Sequence, residues 1–504
     1  MDQKGAFNPS RCEIISAEII PFGGEAGATQ NPNISAMITS FSMKQSIGNS
    51  ALSGKIDVYD SIGLLENMPL RGEEELHIKL KAYDLQTEIE LKCFIYKIDD
   101  VDFRTDQLGL TYTLHWVTKT SYDASTRSFI TSYNGVASST IVKDIFMRYY
   151  HKGKFLADYK PTGKNSEQLP EGTLAFKINA SVDKGRYLYI EKTEHPMQLT
   201  IPDLSPAQAI QFIARRTWGQ QPNAGSSFRW FETPRGFYFV SDEWLYEYGK
   251  RNGGPQFHYG AFISLDSKDA LEQMTSLSQF GNPLRVDTGA QMQNGAYNIK
   301  IIEVDLLKQK ATHFKDGGYH YSYKDDFIPK FKDSTGNQAS IKNDIHSKAF
   351  IEKNFNGENA KQYMIIRDYK EDTSSPAFKS ETHFRDLAAQ RTFYRMHAMA
   401  TGSVGVTEGR LDIAAGDIIR VNTLSKNISS DKEDNKQVSG RFLITGIDND
   451  VEDGILRTVI TMFKYDWSDA GDDDGKRSET INPEDLVPGS QAYKDYYNKF
   501  PLDF

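Results

Sequence analysis

The stretch Gly409–Lys464 constrains the fold of this chain more than any other. It reads GRLDIAAGDIIRVN, then a polar loop, then GRFLITGIDNDVEDGILRTVITMFK. Asp417–Thr423, Arg441–Ile447 and Ile455–Phe463 are strand-like runs, rich in β-branched and aromatic residues. The last two meet through Asp453-Gly454, a pair that tolerates the positive φ of a tight hairpin turn. Gly416-Asp417 supplies a turn before the first. Strands joined this tightly make an antiparallel meander, the closing part of a small β-barrel. A second barrel elsewhere in the chain would decide what the protein is.

Residues 11–120 form a strand-rich block of the size of one antiparallel barrel or sandwich. In Glu74–Ala82, Leu76, Ile78, Leu80 and Ala82 alternate with Glu75, His77, Lys79 and Lys81, which predicts a strand with one wet and one dry face. Ile89, Leu91, Cys93 and Ile95 alternate similarly, as do Leu110, Tyr112, Leu114 and Trp116. Ile34–Met43 and Lys55–Tyr59 complete the set, with a break expected at Asn49-Ser50 and Gly54. Residues 1–10 are expected to be a loose N-terminal arm.

A mixed α+β region follows over 121–254. Ser139–Tyr150 has helical spacing, and a helix starting at Ser205 has Pro206 at its first position and Gln208 where a capping box needs it. Phe228–Phe231 and Gly236–Val240 form a predicted hairpin. A third block begins near residue 255. Within it, Ser267–Phe280 is predicted helical with Gly281 ending the helix, Tyr297–Leu307 is predicted to be a strand, and Thr382–Ala400 again shows helical spacing. Residues 311–384 are polar, with aromatic clusters such as Tyr319, Tyr321 and Tyr323, and are expected to form an insertion. Residues 467–504 combine an acidic linker, Asp472–Asp474, with Tyr493, Tyr496, Tyr497, Phe500 and Phe504; the aromatic end is expected to dock.

At 504 residues the chain exceeds what one core usually holds, about 250–300 residues. Its 26 Tyr and 29 Phe suit sheets and subunit interfaces. A net charge of −9 argues against holding duplex DNA by its phosphates. Cys12 and Cys93 are too few for a disulfide framework, and neither a signal peptide nor an apolar run of about 18 residues is visible. Folding in a reducing cytoplasm is the resulting expectation.

Catalytic chemistry is not in view. The ten histidines show no metal-ligand spacing; His313 and the Tyr319-His320-Tyr321 cluster read as surface residues. The Asp-rich turns at Gly454 and Gly475 fail as calcium loops, because Val451, Ala470 and Ile481 stand where oxygen ligands are needed. Gly402–Val406 lacks the Lys-Ser/Thr of a phosphate loop, and no Gly-x-Ser-x-Gly elbow occurs. No catalytic, cofactor-binding or metal residue is therefore named, no cofactor is expected, and the chain is not expected to be an enzyme. Two alternatives stay open: a cell-wall or glycan hydrolase with its chemistry in the insertion, or a carbohydrate-binding module using the tyrosines.

The order of the elements resembles a known family, the baseplate hub proteins of contractile-tailed bacteriophages. The likeness is carried by SFSMKQSIGNSALSGKIDVYDS (40–61) with GEEELHIKL (72–80), by NGAYNIKIIEVDLLKQK (294–310) with YHYSYKDDF (319–327), by GRLDIAAGDIIRV and GRFLITGI after the 382–400 segment, and by ETINPEDLV (479–487). Each is a strand-and-turn pattern, and their order carries the resemblance. It implies a mainly β fold with α+β insertions: two small antiparallel, tube-like β-barrels per chain, here 11–120 and 255–310 with 385–466, plus mixed α/β domains. It further implies a homotrimer that presents six barrels in a ring and joins a sixfold tail tube to a threefold central spike. Implied partners are the central spike protein and the tail tube or tube-initiator proteins, with the tape measure protein and baseplate wedge as further neighbours. Specific nucleic-acid binding is not implied; DNA would pass through an acidic lumen. The implied location is the virion tail baseplate, assembled in the host cytoplasm.

Overall fold

The computed structural model describes residues 10–259, 275–281 and 402–464, except 22–30, 69, 83–86, 104–108, 152–155, 162–166, 179–184, 194–195, 218, 220–226 and 424–438, and four strands between 298 and 366. The fold is mainly β. Three separate hydrophobic cores divide it into a first strand block, a middle α+β body and a second strand block.

The first block contains β1 (Cys12–Ile20), β2 (Ile38–Ser46), β3 (Ser53–Asp60), β4 (Glu75–Ala82), β5 (Thr87–Phe103) and β6 (Leu110–Thr118), with a single helical turn α1 (Leu64–Asn67) after β3. Its neighbours run β1-β4-β5-β6-β3-β2, all antiparallel. The segment before β2 folds back on β1: Ile19 N donates to Pro32 O at 3.0 Å and Ile34 N to Ala17 O at 2.8 Å. That contact brings the two ends of the strand row together. Alternation in β4 is as the sequence predicts: Leu76, Ile78 and Leu80 are 0–1 % exposed, and His77, Lys79 and Lys81 face the wetter side. Gly54 is not a break but lies within β3. A Cβ there would sit 1.9 Å from Ser42 O and 2.6 Å from the Trp116 ring, so glycine is what lets β2, β3 and Trp116 close together.

The middle body holds α2 (Lys119–Ser125), β7 (Phe129–Ala137), α3 (Ser138–Ile145, prolonged by a π-turn over Phe146–Tyr150), β8 (Ala157–Asp158), β9 (Thr173–Lys177), β10 (Tyr187–Glu191), β11 (Pro196–Leu204), α4 (Pro206–Ala214), β12 (Arg229–Thr233), β13 (Gly236–Val240) and α5 (Asp242–Asn252). A sheet in the order β12-β13-β10-β9-β8 and the ribbon β11-β7 pack with the helices around Phe146, Trp230, Phe237 and Phe239. The capping box predicted at Ser205 forms in full: Gln208 N donates to Ser205 Oγ, and Ser205 N donates to Gln208 Oε1.

The second block contains β14 (Gln256–Tyr259) and β15 (Gln279–Gly281). A small separate sheet follows, made of β16 (Asn298–Asp305), β17 (Lys310–Thr312), β18 (Tyr319–Ser322) and β19 (Lys361–Ile366). The block then resumes with β20 (Ser403–Glu408), β21 (Ile418–Thr423), β22 (Gly440–Glu452) and β23 (Ile455–Lys464). Its own strands run β14-β21-β22-β23-β20-β15. Numbered by rank along the chain, both blocks have the order 1-4-5-6-3-2. They differ at their first strand, which is antiparallel to its neighbour in β1–β4 and parallel in β14–β21. The hairpin between β22 and β23 turns at Asp453 (φ 51°) and Gly454 (φ 75°), as the dipeptide predicts.

Two expectations are corrected. The helix predicted over Ser267–Phe280 ends in strand: Phe280 and Gly281 belong to β15, where Phe280 packs into the second core. Pairing with β20 overrides a local pattern too short to separate helix from strand. The strand predicted at Tyr297–Leu307 exists as β16 but pairs with β17, β18 and β19, not with the second barrel. Period-two alternation shows that a segment is a strand, not which strand lies beside it. Of the predicted arm at residues 1–10 only Ser10 is described, buried and accepting from Leu456 N at 2.7 Å; the helix at Thr382–Ala400 and the tail at 467–504 lie outside the described residues.

Candidate functional site

The most constrained place in the molecule is where the three bodies meet. β22 is long enough to serve two neighbours. Gly440–Leu443 pairs with residues Ile418–Val421 of β21, and Gly446–Glu452 pairs with residues Ser40–Ser46 of β2. The two six-stranded blocks thus form one continuous sheet, joined between β2 of the first and β22 of the second.

The blocks also correspond around β5 and β22, although β5 carries a second register shift, between Asp99 and Asp102, that β22 lacks. Ile95 N donates to Glu74 O just before β4, and Ile444 N donates to Asp417 O just before β21, both at 2.9 Å. Each strand then carries a register shift, between Ile95 and Lys97 in β5 and between Ile444 and Gly446 in β22. The sequences there read Ile95-Tyr96-Lys97-Ile98-Asp99-Asp100 and Ile444-Thr445-Gly446-Ile447-Asp448-Asn449. Cross-strand partners continue the match: Ile98–Leu114–Ile56–Phe41 crosses the first block, and Ile447–Ile460–Gly405–Phe280 crosses the second.

Polar side chains lock the middle body to both blocks. Glu232, in β12, is fully buried. Its Oε2 accepts from Leu52 N (3.0 Å), Thr118 Oγ1 (2.7 Å) and Ser121 Oγ (2.6 Å), and its Oε1 from Arg186 (2.7 Å). Leu52 and Thr118 belong to the first block, so one carboxylate ties it to the middle body. Its charge also helps hold the Cys93 thiol well above its usual range, after the larger effect of burial. Toward the second block, Arg235 makes a bidentate pair with Asp417 at 2.8 and 3.0 Å and donates to Asp412 O. Burial opposes the Arg235 charge, but Asp417 outweighs it and the guanidinium is held more firmly protonated than usual. Asp417 also accepts from Ala414 N at 2.8 Å, and Gln45 Oε1, from the first block, accepts from Ala415 N at 3.3 Å. An open groove of about 470 Å³ runs beside the β2–β22 seam, lined by Gln45, Ile47, Arg229, Thr445, Met462 and Phe463 among others.

Further acids of the middle body include Glu191, which is buried, and Glu167, which is half-buried. Burial pushes Glu191 up to about 7, moderated by the Ser241 N–H and hydroxyl. Burial also raises Glu167, against the hydrogen bonds it accepts from Tyr248 and Tyr189. The solvent face beside the seam mixes Lys44, Lys55 and Arg457 with Asp448, Asp450 and Glu452; Lys44 lies 3.5 Å from Asp448. Asp450 is raised by partial burial and then by Asp448.

These groups hold the three bodies in register. Among the described residues no cluster of three or more His, Cys, Asp or Glu could hold a metal. Asn449, in the Asp-rich run before the Gly454 turn, is 1 % exposed and accepts from Thr458 Oγ1 at 2.9 Å. Of Gly402–Val406, weighed as a phosphate loop, Ser403–Val406 lie within β20 itself. His320 lies in β18, and His313 lies outside the described residues. Sequence reading missed Glu232, Arg235 and Asp417 as a set. Arg235 and Asp417 both stand in turns that the sequence marks, Thr233-Pro234-Arg235-Gly236 and Gly416-Asp417, but nothing local says that the two turns meet.

No family model matches the sequence, and no curated protein matches it. Among solved structures, the chain is similar to a tail protein from Neisseria meningitidis MC58 (7% identity, TM-score 0.46), covering 90% of this chain and 98% of that one. It is also similar to the 43 kDa tail protein of prophage MuSo2 from Shewanella oneidensis (8% identity, TM-score 0.43, 91% and 98% covered). A third is an E. coli component of the type VI secretion system (8% identity, TM-score 0.39, 86% and 74% covered).

Proposed function

We propose that this chain is a structural adaptor of a contractile tail: a homotrimeric baseplate hub that joins a sixfold tail tube to a threefold central spike and surrounds part of the channel through which DNA leaves. The observation that carries this reading is the pair of six-stranded blocks with one strand order, joined through β2 and β22 within a single chain. A chain with two alike units can meet a sixfold neighbour with both units and a threefold neighbour with the chain as a whole. Closed rings built this way follow ordinary oligomer symmetry. The element order that resembles hub proteins supports the same reading. The Glu232 and Arg235 clasps fit it too, because a ring that transmits load needs its bodies held at one angle.

In this proposal the partners are the central spike protein and the tail tube or tube-initiator proteins, with the tape measure protein and baseplate wedge nearby. The chain sits in the virion tail, has no catalytic role, and repels rather than binds the passing DNA. Light scattering and particle imaging of the purified protein test it. A trimer whose ring shows six lobes is expected; a monomer at all concentrations, or a ring with three lobes, refutes it. Incubation with peptidoglycan should release no soluble sugar or peptide.

A further inference from the structure

Two Asn-Gly pairs lie among the described residues, Asn134-Gly135 in β7 and Asn252-Gly253 at the end of α5, and their surroundings are opposite. Asn252 is clamped. Its Nδ2 donates to Gln168 O at 3.0 Å and to Tyr248 O at 2.9 Å, and its Oδ1 accepts from Gln168 N at 2.7 Å. Asn134 is exposed, and among the described residues no hydrogen bond holds its side chain.

The β7–β11 ribbon is also interrupted at this point. Asn134 pairs with Gln198 and Val136 with Met197, so the register passes over Gly135. Gly135 is exposed, has φ 68°, and a Cβ placed on it would meet nothing within 4 Å. A glycine in the left-handed region at such a shift is the extra residue of a β-bulge, where the ladder breaks locally. Asparagine is among the thermolabile residues, because its side-chain carbonyl carbon can be reached by the next backbone nitrogen. Glycine, with no Cβ, hinders that approach least.

We propose that Asn134 is a site of spontaneous covalent modification, closing to a cyclic imide with Gly135 and opening to aspartate and isoaspartate, whereas Asn252 is protected by the fold. In the first step the Gly135 nitrogen gives its proton to hydroxide and attacks Asn134 Cγ. The N–Cγ bond forms, the Cγ–Nδ2 bond breaks, and the side-chain nitrogen takes a proton from water and leaves as ammonia. One water then adds across one of the two imide C–N bonds. Opening at Cγ gives aspartate; opening at the backbone carbonyl carbon of Asn134 gives isoaspartate. The balance is one water consumed and one ammonia released, with nothing oxidised or reduced. At Asn252 the same rotation of Cγ toward Gly253 N would break the bonds to Gln168 and Tyr248. Either product at Asn134 places a carboxylate opposite Gln198 and beside Ser132 and Thr200, an uncharged pair whose hydroxyls lie 3.0 Å apart. Isoaspartate also lengthens the backbone shortly before Ser138, where α3 begins.

The test holds the purified protein in mildly alkaline buffer below its unfolding temperature, with a parallel sample in urea. Both are sampled over time and mapped by peptide mass spectrometry. In urea the two pairs should convert at similar rates, because each then has the same local chemistry. In the folded protein the Asn134 peptide should gain the mass of an NH2-to-OH exchange, at a rate proportional to hydroxide, and should accept label from an isoaspartyl methyltransferase. The Asn252 peptide should convert at least about tenfold more slowly, the scale set by the net worth of its hydrogen bonds. Asn134→Gln, which would have to close a larger ring, should abolish the change, and a mass gain that persists in this variant overturns the assignment. Equal conversion of the two pairs in the folded protein overturns the protection of Asn252. An Asn134 that converts in urea but stays intact in the folded protein overturns the site.

Discussion

Replacing Glu232 by Ala should separate the first block from the middle body. The substitution removes the carboxylate that accepts from Leu52 N, Thr118 Oγ1, Ser121 Oγ and the Arg186 guanidinium, of which Arg186 keeps its bond to Thr233 O. Glu232 is fully buried and Arg186 only 9 % exposed, so water cannot take over these contacts without opening the joint. Breaking a buried, hydrogen-bonded ion pair by removing one partner costs about 3–5 kcal/mol. For comparison, Lys44→Ala at the exposed Lys44–Asp448 pair should cost about 0–1 kcal/mol, since that pair is well solvated. Urea unfolding followed by tryptophan fluorescence reads both, because Trp116 reports on the first block and Trp230 on the middle body. The Ala variant should show a lower midpoint and a first-block transition no longer coupled to the second. Glu232→Gln should fall between the two, since it keeps an acceptor for Leu52 N but loses the charge facing Arg186. A loss below about 1 kcal/mol for Glu232→Ala, with transitions still coincident, would show that the blocks are joined by packing and the β2–β22 seam alone.

Ile78 is 1% exposed in the first core, so Ile78→Ala should cost about 2–5 kcal/mol in chemical denaturation; a loss under about 0.5 kcal/mol would contradict its burial. Glu191 sits at about 7 when folded, above its unfolded value, so the folded state favours its protonated form. Its contribution is thus fully present below the unfolded pKa and is lost as pH rises toward and through 7; relative to Glu191→Gln, the unaltered protein should weaken over that window, and a flat difference from pH 4 to 8 would refute the shift. Deleting residues 480–504 should leave the unfolding of both blocks unchanged but weaken assembly with a spike or neighbouring subunit, because the Tyr and Phe of that segment favour burial. Unchanged assembly affinity would make the segment a linker.

Local chemistry was enough for much of this molecule. Alternation placed β4 and named its buried face, Ser205 with Gln208 marked the start of α4, and Asp453-Gly454 marked the β22–β23 hairpin. Each depends on contacts within a few residues, which a sequence displays directly. The repeat itself was also written there, in Ile95-Tyr96-Lys97-Ile98-Asp99-Asp100 and Ile444-Thr445-Gly446-Ile447-Asp448-Asn449, but two short matches 349 positions apart gain meaning only when both precede the same bulge and follow the same backbone bond. Partner choice was decided by tertiary structure alone. Gly54 looked like a break until Trp116 and β2 closed over it; β16 looked like a barrel strand until its neighbours were known; β15 looked helical until β20 lay beside it. The same holds for Glu232 and for Arg235 with Asp417, whose partners lie more than 40 positions away along the chain. A carboxylate's spacing in sequence says nothing about which distant hydroxyl or guanidinium folding will bring to it. That is set by how three separately buried cores come to rest against one another.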